Sequence, residues 1–283
     1  MKIGVIGAGK VGTSLGKYLG SSGLSLTGFF DFHENVAKEA AEFTNSRFYE
    51  DVELLVKESD VLFLTVPDGV ITTVWEQIKD MPVSGKYVCH CSGAMSARDA
   101  FPDAKEKGAY AYSVHPLFAV SDRFHSYGEL NGAYFTIEGD ERKDAIPKLF
   151  EDLGNPVCKI TAADKATYHL AAAIASNHVV ALMNQSIELL MKCGFTEEGA
   201  RAALSPIVKG NVSHILEDGT IASLTGPVER ADLSTIIKHL DCLDEEDQLL
   251  YCLLSRKLLS IGKKKNPERD YSALDTFLSG KVR

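Results

Sequence analysis

The pattern of hydrophobic and polar positions changes near residue 161 of the chain. Before that point, short apolar runs alternate with segments whose apolar residues recur every three or four positions, a pattern typical of a parallel sheet covered by helices on both faces. The predicted strands cover residues 3–6, 25–31, 61–66, 87–91, 110–114, 134–138 and 157–160. This alternation predicts a doubly wound α/β domain over residues 1–161.

A long, mostly apolar segment follows at residues 162–193 and predicts one helix of about 30 residues. Thr161 and Asp164 occupy the positions of a capping box at its start, and Gly194 follows its end. A helix that is apolar nearly all round must be covered on every side. The rest of the chain is too short to cover it alone, so we expect a homodimer.

The remaining residues also show helical periodicity. Residues 244–262 predict an amphipathic helix, and Pro206 and Pro227 are expected to break the helical stretches before it. The predicted fold class is therefore α/β, with a doubly wound N-terminal domain followed by an all-α domain at residues 162–283.

The composition is that of a globular protein, with 45% hydrophobic and 24% charged residues. The formal net charge of −9 has the wrong sign for a surface that neutralises phosphates, so we expect a small-molecule substrate and no nucleic-acid partner. Residues 170–187 carry no formal charge, which raises a membrane-spanning alternative, but polar side chains interrupt them and favour a buried helix. We therefore expect no membrane partner.

Two further features concern location and metals. The first residues run directly into a strand pattern, without the basic and apolar regions of a signal peptide, so we expect a soluble cytoplasmic protein. The six cysteines are scattered, with no CxxC pair and no zinc-type spacing among the histidines. We therefore expect reduced thiols and no metal site.

The first predicted strand leads at once into a glycine-rich turn that opens a helix. The turn consists of Gly7, Ala8, Gly9, Lys10, Val11 and Gly12, which form GxGxxG. In the Rossmann fold the first glycine permits the tight turn, the second lets the backbone approach a pyrophosphate, and the third allows close helix packing. Residues 1–161 are therefore predicted to be an NAD(P)-binding Rossmann domain. The alternative is an ordinary tight turn in a fold that binds no nucleotide.

The second predicted strand ends at Asp31, 19 residues after Gly12, where a carboxylate can accept hydrogen bonds from an adenosine ribose. A carboxylate there would repel a 2′-phosphate, and no arginine follows it directly, so NAD is favoured over NADP. His33 or Arg47 could reverse that preference. The alternative role of Asp31 is to cap the helix that follows the strand.

Polar residues also cluster where three later strands end, and in open α/β sheets ligands bind outside the carboxyl ends of the strands. The residues concerned are Val66, Pro67 and Asp68 after one strand, His90, Ser92 and Gly93 after the next, and His115 after a third. We assign residues 66–68, Ser92 and Gly93 to the cofactor. His90 and Ser92 are assigned to the substrate, and His115 to catalysis. The alternative for each histidine is a hydrogen-bonded structural role.

The long predicted helix carries a polar strip on one face. Lys165 and His169 are four residues apart, about 6 Å along the axis, and Ser176 returns to almost the same angle. Unpartnered buried polar groups are costly, so we expect a ligand here; the alternative is a network at an interdomain or dimer interface. Hydride transfer to a carbonyl or imine requires a proton, which His169 or Lys165 would supply. Asn177, on the neighbouring stripe, is a further catalytic candidate, and Ser176 a substrate-binding one.

Six short motifs together resemble a known family. They are GAGKVG, VPD, HCSGA, SVHP, YHLAAAIASN and LTGPVERAD, and they span nearly the whole chain. The chain resembles an uncharacterised Rossmann-like oxidoreductase family with a C-terminal helical domain of unknown function, related to the 6-phosphogluconate, β-hydroxyacid and prephenate dehydrogenases and to pyrroline-5-carboxylate reductase. The resemblance implies catalytic groups on the first long helix after the Rossmann domain, and a dimer whose C-terminal helices complete each site.

Two departures limit what the resemblance implies. The hydroxyacid enzymes have lysine and asparagine four residues apart on that helix, whereas this chain has Lys165 and His169, so their mechanism does not carry over. The family usually shows RGD where this chain has Arg230, Ala231 and Asp232, which would alter a turn without removing either charge.

Residues 225–239 are the segment that the resemblance implies for completing the site, with Thr225 and Arg230 as substrate-binding candidates. The alternative is a helix-capping turn at a subunit contact. The leading hypothesis is an oxidoreductase that transfers hydride between NAD or NADP and a small polar carbonyl, hydroxy or imino compound. The alternatives are a non-catalytic dinucleotide-binding protein that regulates a partner, and a structural helical dimer that binds no coenzyme.

Overall fold

The structure, a computed structural model, describes residues 1–282. The chain forms two compact units, one over Met1–Ala181 and one from Leu182 onward. Each unit is built around its own buried apolar side chains.

The first unit contains one eight-stranded sheet. Its strands are β1 (Lys2–Ile6), β2 (Ser25–Phe30), β3 (Arg47–Phe48), β4 (Val61–Leu64), β5 (Tyr87–His90), β6 (Tyr110–Pro116), β7 (Phe135–Gly139) and β8 (Val157–Lys159). They lie in the order β3-β2-β1-β4-β5-β6-β7-β8, and all neighbours are parallel except β6 and β7. The predicted doubly wound α/β fold and all seven predicted strands are confirmed. The two-residue strand β3 was not predicted, because so short a strand leaves no apolar pattern.

Helices cover both faces of this sheet and enclose an apolar cluster on each side. They are α1 (Lys10–Ser21), α2 (Glu34–Thr44), α3 (Val52–Glu58), α4 (Asp68–Ile78), α5 (Ala97–Ala100) and α6 (Ala145–Asp152). Strand β4 is buried along its whole length, as expected for a strand covered on both faces. Strand β1 has β2 on one side and β4 on the other, so the winding direction reverses there and opens a crevice at the carboxyl ends of these strands.

The expected single helix at residues 162–193 is two helices. After a short 3-10 turn, α7 (Lys165–Ala175) and α8 (Asn177–Lys192) meet at Ser176, whose backbone departs from helical geometry with φ −122° and ψ −71°. Serine and asparagine disfavour helix interiors because their side chains compete for backbone hydrogen bonds, and both residue types stand at this junction. No helix within residues 1–282 combines the length and the apolar character needed to cross a bilayer.

The second unit is helical, as predicted. Its helices after α8 are α9 (Glu197–Ser223), α10 (Leu233–Leu240), α11 (Glu245–Lys265) and α12 (Ser272–Lys281). Buried side chains of α10, α11 and α12, among them Ile236, Leu259 and Leu278, form its core. Helix α11 matches the amphipathic helix predicted at residues 244–262.

Pro206 does not break a helix, contrary to expectation. It lies inside α9, and the departure from helical geometry comes instead at Gly219, where φ is 82°. A proline inside a helix removes one hydrogen bond to the carbonyl four residues earlier, and here that residue, Ala202, is exposed to solvent. A positive φ suits glycine far better than other residues, which places the break at Gly219. Pro227 lies between α9 and α10, where a break was expected.

A hydrogen-bonded turn joins α9 to α10. The Glu229 carboxylate accepts hydrogen bonds from Asn266 and from Arg269, each at 2.6 Å. Asp232 caps α10 by accepting a hydrogen bond from the Thr235 amide at 3.1 Å. The hydrogen bonds from Thr235 lower the pKa of Asp232 to about 2. Part of the 225–239 segment is therefore a helix-capping turn.

Ala231 in this turn adopts a left-handed conformation with φ 57°. Ala231→Gly is expected to raise the free energy of unfolding by up to about 1 kcal/mol, because glycine adopts this conformation without the steric cost of a Cβ, and its greater freedom in the unfolded chain offsets only part of that gain. Ala203→Gly is the matched control, since Ala203 is exposed inside α9 and glycine there should lower stability by about 1 kcal/mol. Urea denaturation measures both, and a similar loss in both variants would contradict the assigned backbone conformation.

Candidate functional site

The glycine-rich turn lies at the carboxyl end of β1 and leads into α1. Gly7 has a φ of 98°, and a Cβ on Gly12 would lie 2.1 Å from the Gly7 carbonyl oxygen. A Cβ on Gly9, in contrast, would meet nothing within 4 Å, so the backbone is open there. The first amides of a helix have no partners within it and favour an anion. The turn therefore offers the shape and the partial charge that a pyrophosphate requires.

A pocket of about 300 Å³ opens beside this turn. Its lining includes Gly7, Gly9, Asp31, Phe32, His33, Val66, Pro67 and Val70. The Asp31 carboxylate accepts hydrogen bonds from the Ala8 amide at 2.7 Å and from the His33 amide at 2.9 Å. These two bonds fix the carboxylate at the pocket wall. Asp31 is not the N-cap of α2, which was its alternative role, because His33 occupies that position.

A larger cleft of about 470 Å³ lies between the end of β6 and helix α7 and is termed here the β6–α7 cleft. It is lined by His115, Leu117, Phe118 and Ala119 after β6, and by Tyr168, His169, Ala171, Ala172, Ala173, Ala175, Ser176 and Asn177. The alanines make one wall small and apolar, while imidazole, phenol, hydroxyl and amide groups supply the polar part. Four residues that the sequence assigned to catalysis or substrate therefore line one cleft: His115, His169, Ser176 and Asn177.

His115 and Tyr168 form a hydrogen-bonded pair in the β6–α7 cleft, with the His115 Nδ1 2.7 Å from the Tyr168 hydroxyl. Burial, together with the nearby Lys165 and His169, lowers the pKa of His115 to about 4, so its imidazole is neutral at neutral pH. Burial also raises the pKa of Tyr168, which keeps the phenol protonated. A phenol that donates to Nδ1 leaves the imidazole proton on Nε2.

The loop after β5 brings Gly93 against both histidines of the cleft. A Cβ on Gly93 would lie 2.5 Å from the His169 Cδ2 and 3.0 Å from the His115 Nε2. The centres of the two imidazole rings are 6.4 Å apart. Ser92 holds this loop in place by donating a hydrogen bond to the Asp68 carboxylate at 2.6 Å. The absence of a side chain at Gly93 therefore leaves room for both imidazoles beside this loop.

Lys165 lies beneath the same loop, and its side chain is almost fully buried. Its Nζ donates hydrogen bonds to the Ser92 carbonyl at 2.9 Å and to the Ser113 hydroxyl at 2.6 Å. Burial lowers the pKa of Lys165 to about 8, although the carboxylates of Glu138 and Asp68 oppose the shift. Lys165 does not line the β6–α7 cleft, so it supports the loop from below.

His90 is fully buried and lines neither pocket. Its Nδ1 accepts a hydrogen bond from the Ser92 amide at 3.1 Å, and its ring lies 5.6 Å from the ring centre of Phe101. Burial, with Lys165 adding to it, lowers the pKa of His90 to about 4. The structure thus does not bring His90 to the substrate side. It places this histidine in the structural role that the sequence left as the alternative.

Three residues assigned to the cofactor, Asp68, Ser92 and Gly93, line neither pocket. They form or hold the loop that packs against the two imidazoles of the cleft.

The remaining predicted residues fall in three places. Ala8 is buried inside the turn, and Lys10 and Val11 form the first turn of α1, where Lys10 is exposed. Thr225 and Arg230 belong to the second unit, where both are exposed between α9 and α10. Tyr168 is the cleft residue that sequence reasoning missed. The available signal was its place on the helix, three residues after Lys165 and thus on a neighbouring position of the same surface.

Comparison with known proteins agrees with this architecture. Residues 1–116 match a Rossmann-like domain, and residues 133–258 match a domain of unknown function, DUF2520. The chain therefore combines a Rossmann-like domain with a DUF2520 domain, which confirms the resemblance drawn from the six motifs.

Individual relatives extend the comparison. The chain is similar to a pyrroline-5-carboxylate reductase from Methanosarcina acetivorans, with 28% identity over 159 residues that cover 55% of this chain and 57% of that protein. The match thus spans little more than half of the relative. Protein TM1727 from Thermotoga maritima aligns over 93% of this chain and 99% of its own, with 24% identity and a TM-score of 0.73. An imine reductase from Myxococcus stipitatus in complex with NADP+ aligns over 98% of this chain and 100% of its own, with 15% identity and a TM-score of 0.66. At these identities the structural likeness concerns the fold.

The buried His90 and the half-buried His115 are expected to make the fold sensitive to acid. Their pKa values of about 4 lie below the ordinary value of 6.5, so the unfolded chain takes up these protons first as the pH falls. The stability is complete above about pH 6.5 and is lost as the pH falls towards 4. Between about pH 7 and pH 5, His90 and His115 should each account for about 2 kcal/mol of lost unfolding free energy.

Chemical denaturation at these two pH values tests the expectation for His90. Asparagine retains an acceptor for the Ser92 amide but does not titrate, so His90→Asn should remove about half of the pH dependence that His90 and His115 cause together. His214→Asn, at an exposed histidine of α9, is the matched control and should change little. An unchanged pH dependence in His90→Asn would show that this imidazole does not govern the acid sensitivity.

Proposed function

We propose that the chain is an oxidoreductase that uses NAD or NADP to transfer hydride to or from a small polar carbonyl, hydroxy or imino compound. The proposal rests on one observation: an open glycine turn beside Asp31 and a cleft holding a neutral imidazole and a phenol occur together in the first unit. The pyrroline-5-carboxylate reductase from Methanosarcina acetivorans and the imine reductase from Myxococcus stipitatus favour an imino substrate within this class.

A nicotinamide dinucleotide fits the residues of the first pocket. The space at Gly9 suits the pyrophosphate, the first amides of α1 would hold its charge, and the Asp31 carboxylate would accept hydrogen bonds from the ribose. Val66 and Pro67, which line the same pocket, would contact the bound coenzyme. When bound, the coenzyme supplies or accepts the hydride.

Asp31 favours NAD, because its negative charge would repel the 2′-phosphate of NADP. Two residues were expected to be able to reverse this preference. His33 lines the pocket, whereas Arg47 is paired with Glu58 at 2.7 Å and does not line it. His33 is therefore the residue that would accommodate a 2′-phosphate if the chain uses NADP, the form bound to the imine reductase from Myxococcus stipitatus.

Asp31→Ser tests both the site and the preference. The change is expected to weaken NADH binding roughly tenfold or more, because it removes charge-assisted hydrogen bonds worth about 1.5–3 kcal/mol. NADPH binding should weaken less, since the repulsion of its 2′-phosphate is removed at the same time. Titration by nicotinamide fluorescence measures both affinities.

The matched control is Asp51→Ser, because Asp51 accepts a hydrogen bond from the Glu53 amide at 2.8 Å as the N-cap of α3 and serine can also cap a helix. It should leave both affinities unchanged. An equal loss for NADH and NADPH in Asp31→Ser would refute the ribose contact. If the unaltered protein binds neither coenzyme, the proposed function fails.

The β6–α7 cleft would supply the proton chemistry. Reduction of a carbonyl or imine leaves an oxygen or nitrogen that needs a proton, and the reverse reaction needs a base. His115 can present an N–H at Nε2, and the Tyr168 hydroxyl on Nδ1 can fix that tautomer. That N–H can donate a hydrogen bond to the reacting oxygen or nitrogen, and His169, exposed in the cleft, would carry the proton. Ser176 and Asn177 offer hydrogen bonds to a polar substrate. Lys165 acts by holding the loop against which both imidazoles pack.

Tyr168→Phe is expected to lower turnover of a cyclic imine such as pyrroline-5-carboxylate by roughly 10- to 100-fold, because the ring remains but the hydroxyl that fixes the tautomer is lost. Coenzyme affinity should change little, since Tyr168 does not line the coenzyme pocket. His169→Ala should also reduce turnover with coenzyme affinity retained. Tyr134→Phe, at an exposed tyrosine, is the matched control. Steady-state rates on a panel of imines and carbonyls measure the effects, and unaltered rates would remove the substituted residue from catalysis.

We also infer that the chain forms a homodimer through residues 162–283. Large apolar side chains of α8 and α9 are exposed in a single chain, with Val180 69%, Ile207 68% and Leu216 80% exposed. Exposed apolar patches of this kind mark interaction surfaces, and a second copy would cover them. Light scattering should then give twice the chain mass of 30.8 kDa. A monomer at micromolar concentration would contradict the inference.

A further inference from the structure

The segment that follows β6 is hydrogen-bonded to α1 and α2. Residues 117–119 line the β6–α7 cleft, and the chain then runs to Arg123, which lies against α1 and α2. The Arg123 guanidinium donates hydrogen bonds to the Glu39 carboxylate at 2.6 Å, to the Val36 carbonyl, and through Nε to the Thr13 hydroxyl at 3.1 Å. One wall of the cleft is thus tied to the helix that begins at the glycine turn.

This anchor is largely buried. The Arg123 side chain is 17% exposed, and Thr13 and Ser14 beneath the segment are fully buried. The Ser14 hydroxyl donates a hydrogen bond to the Arg123 carbonyl at 3.2 Å. The next residue, Phe124, packs its ring against Phe43 of α2 with the ring centres 5.0 Å apart. The Glu39 carboxylate is 60% exposed, but a guanidinium that is mostly covered and has three partners is more restricted than a surface ion pair, which is usually worth little.

Thr13 connects the anchor to the glycine turn. Its hydroxyl accepts the hydrogen bond from Arg123 and donates one to the Ala8 carbonyl at 2.9 Å. The Ala8 amide in turn donates to the Asp31 carboxylate at 2.7 Å. The Ala8 amide and carbonyl belong to successive peptide groups that meet at one Cα, so a shift of Ala8 changes the geometry of both hydrogen bonds. The Arg123 guanidinium is therefore linked to the Asp31 carboxylate at the first pocket. The Thr13 hydroxyl and Ala8 of the turn form the link.

We propose that Arg123 is a positioning residue that couples occupancy of the glycine turn to the placement of residues 117–119 in the wall of the β6–α7 cleft. This inference rests on the proposed function, because it takes the glycine turn to be the coenzyme site. A coenzyme bound to Asp31 and to the turn amides fixes the position of Ala8, and the Thr13 hydroxyl transmits that placement to Arg123. The cleft wall is then held most firmly when the turn is occupied. By linkage, a firm wall also favours coenzyme binding.

Hydrogen exchange of residues 117–125, with and without NADH or NADPH, tests the coupling. In the unaltered protein, coenzyme is expected to slow this exchange roughly fivefold or more. Thr13→Val keeps the shape of the side chain but removes the hydroxyl, so coenzyme should still bind while the slowing is lost. Thr13→Ser keeps the hydroxyl and should restore it. A purely structural role would change exchange equally with and without coenzyme, so the coenzyme-dependent difference is the decisive measurement.

Arg123→Met should speed exchange of residues 117–125 even without coenzyme. Arg142→Met is its matched control, because Arg142 also donates to a carboxylate, that of Asp140, and to a carbonyl, that of Ala109. Arg142→Met should leave the exchange unchanged.

If Thr13→Val fails to fold, Arg123→Lys replaces it as the test. Lysine keeps the charge but lacks the Nε donor to Thr13, so coenzyme should no longer slow the exchange of residues 117–125.

The outcomes separate this inference from the proposed function. If coenzyme binds and Thr13→Val responds to it as the unaltered protein does, the coupling is refuted while the proposed function stands. Unchanged exchange in Arg123→Met would refute the anchor itself. If neither coenzyme binds the unaltered protein, both the coupling and the proposed function fail.

Discussion

The absence of a side chain at Gly12 is the constraint on which the first unit depends. The Gly7 carbonyl oxygen lies 2.1 Å from where a Cβ would stand, so only glycine lets α1 begin this close to the end of β1. That close approach directs the free amides of α1 into the crevice where the winding of the sheet reverses. The same helix places Thr13, the residue after Gly12, where its hydroxyl accepts a hydrogen bond from Arg123 in the segment that follows β6. The glycine turn and one wall of the β6–α7 cleft therefore both take their position from the same helix.

A row of buried polar side chains crosses the sheet below the cleft. His90 is paired with Ser113 across β5 and β6, and Ser113 with Glu138 across β6 and β7, and all three residues are buried. Lys165 adds a positive charge through its hydrogen bond to Ser113. Burying such groups is costly even when they are hydrogen-bonded, and an apolar core would pack at lower cost. An apolar core, however, would offer nothing to hold the loop that places Gly93 against two imidazoles.

Local rules allowed the sequence to predict the sheet and the glycine turn, since apolar runs mark strands and only glycine tolerates the close approach at Gly12. What the sequence missed depends on contacts between distant segments. His90 and His115 both stand at strand ends, yet the ring of Phe101 covers His90 while His115 opens to the cleft. The importance of Tyr168 follows from its 2.7 Å contact with a residue 53 positions earlier in the chain. Helical spacing from Lys165 marks its surface but does not reveal that contact. The helix break at Ser176 was missed because apolar periodicity continues across it.

A protein that only bound a dinucleotide would need the first pocket alone. This chain also holds a half-buried imidazole, His115, whose pKa falls to about 4, which makes the fold less stable in acid without improving a dinucleotide site. A neutral imidazole fixed in one tautomer by the Tyr168 hydroxyl can donate a hydrogen bond from Nε2 to the oxygen or nitrogen on which charge changes during hydride transfer. A regulatory binder would gain nothing from this imidazole and phenol, whose place in the β6–α7 cleft favours chemistry over binding alone.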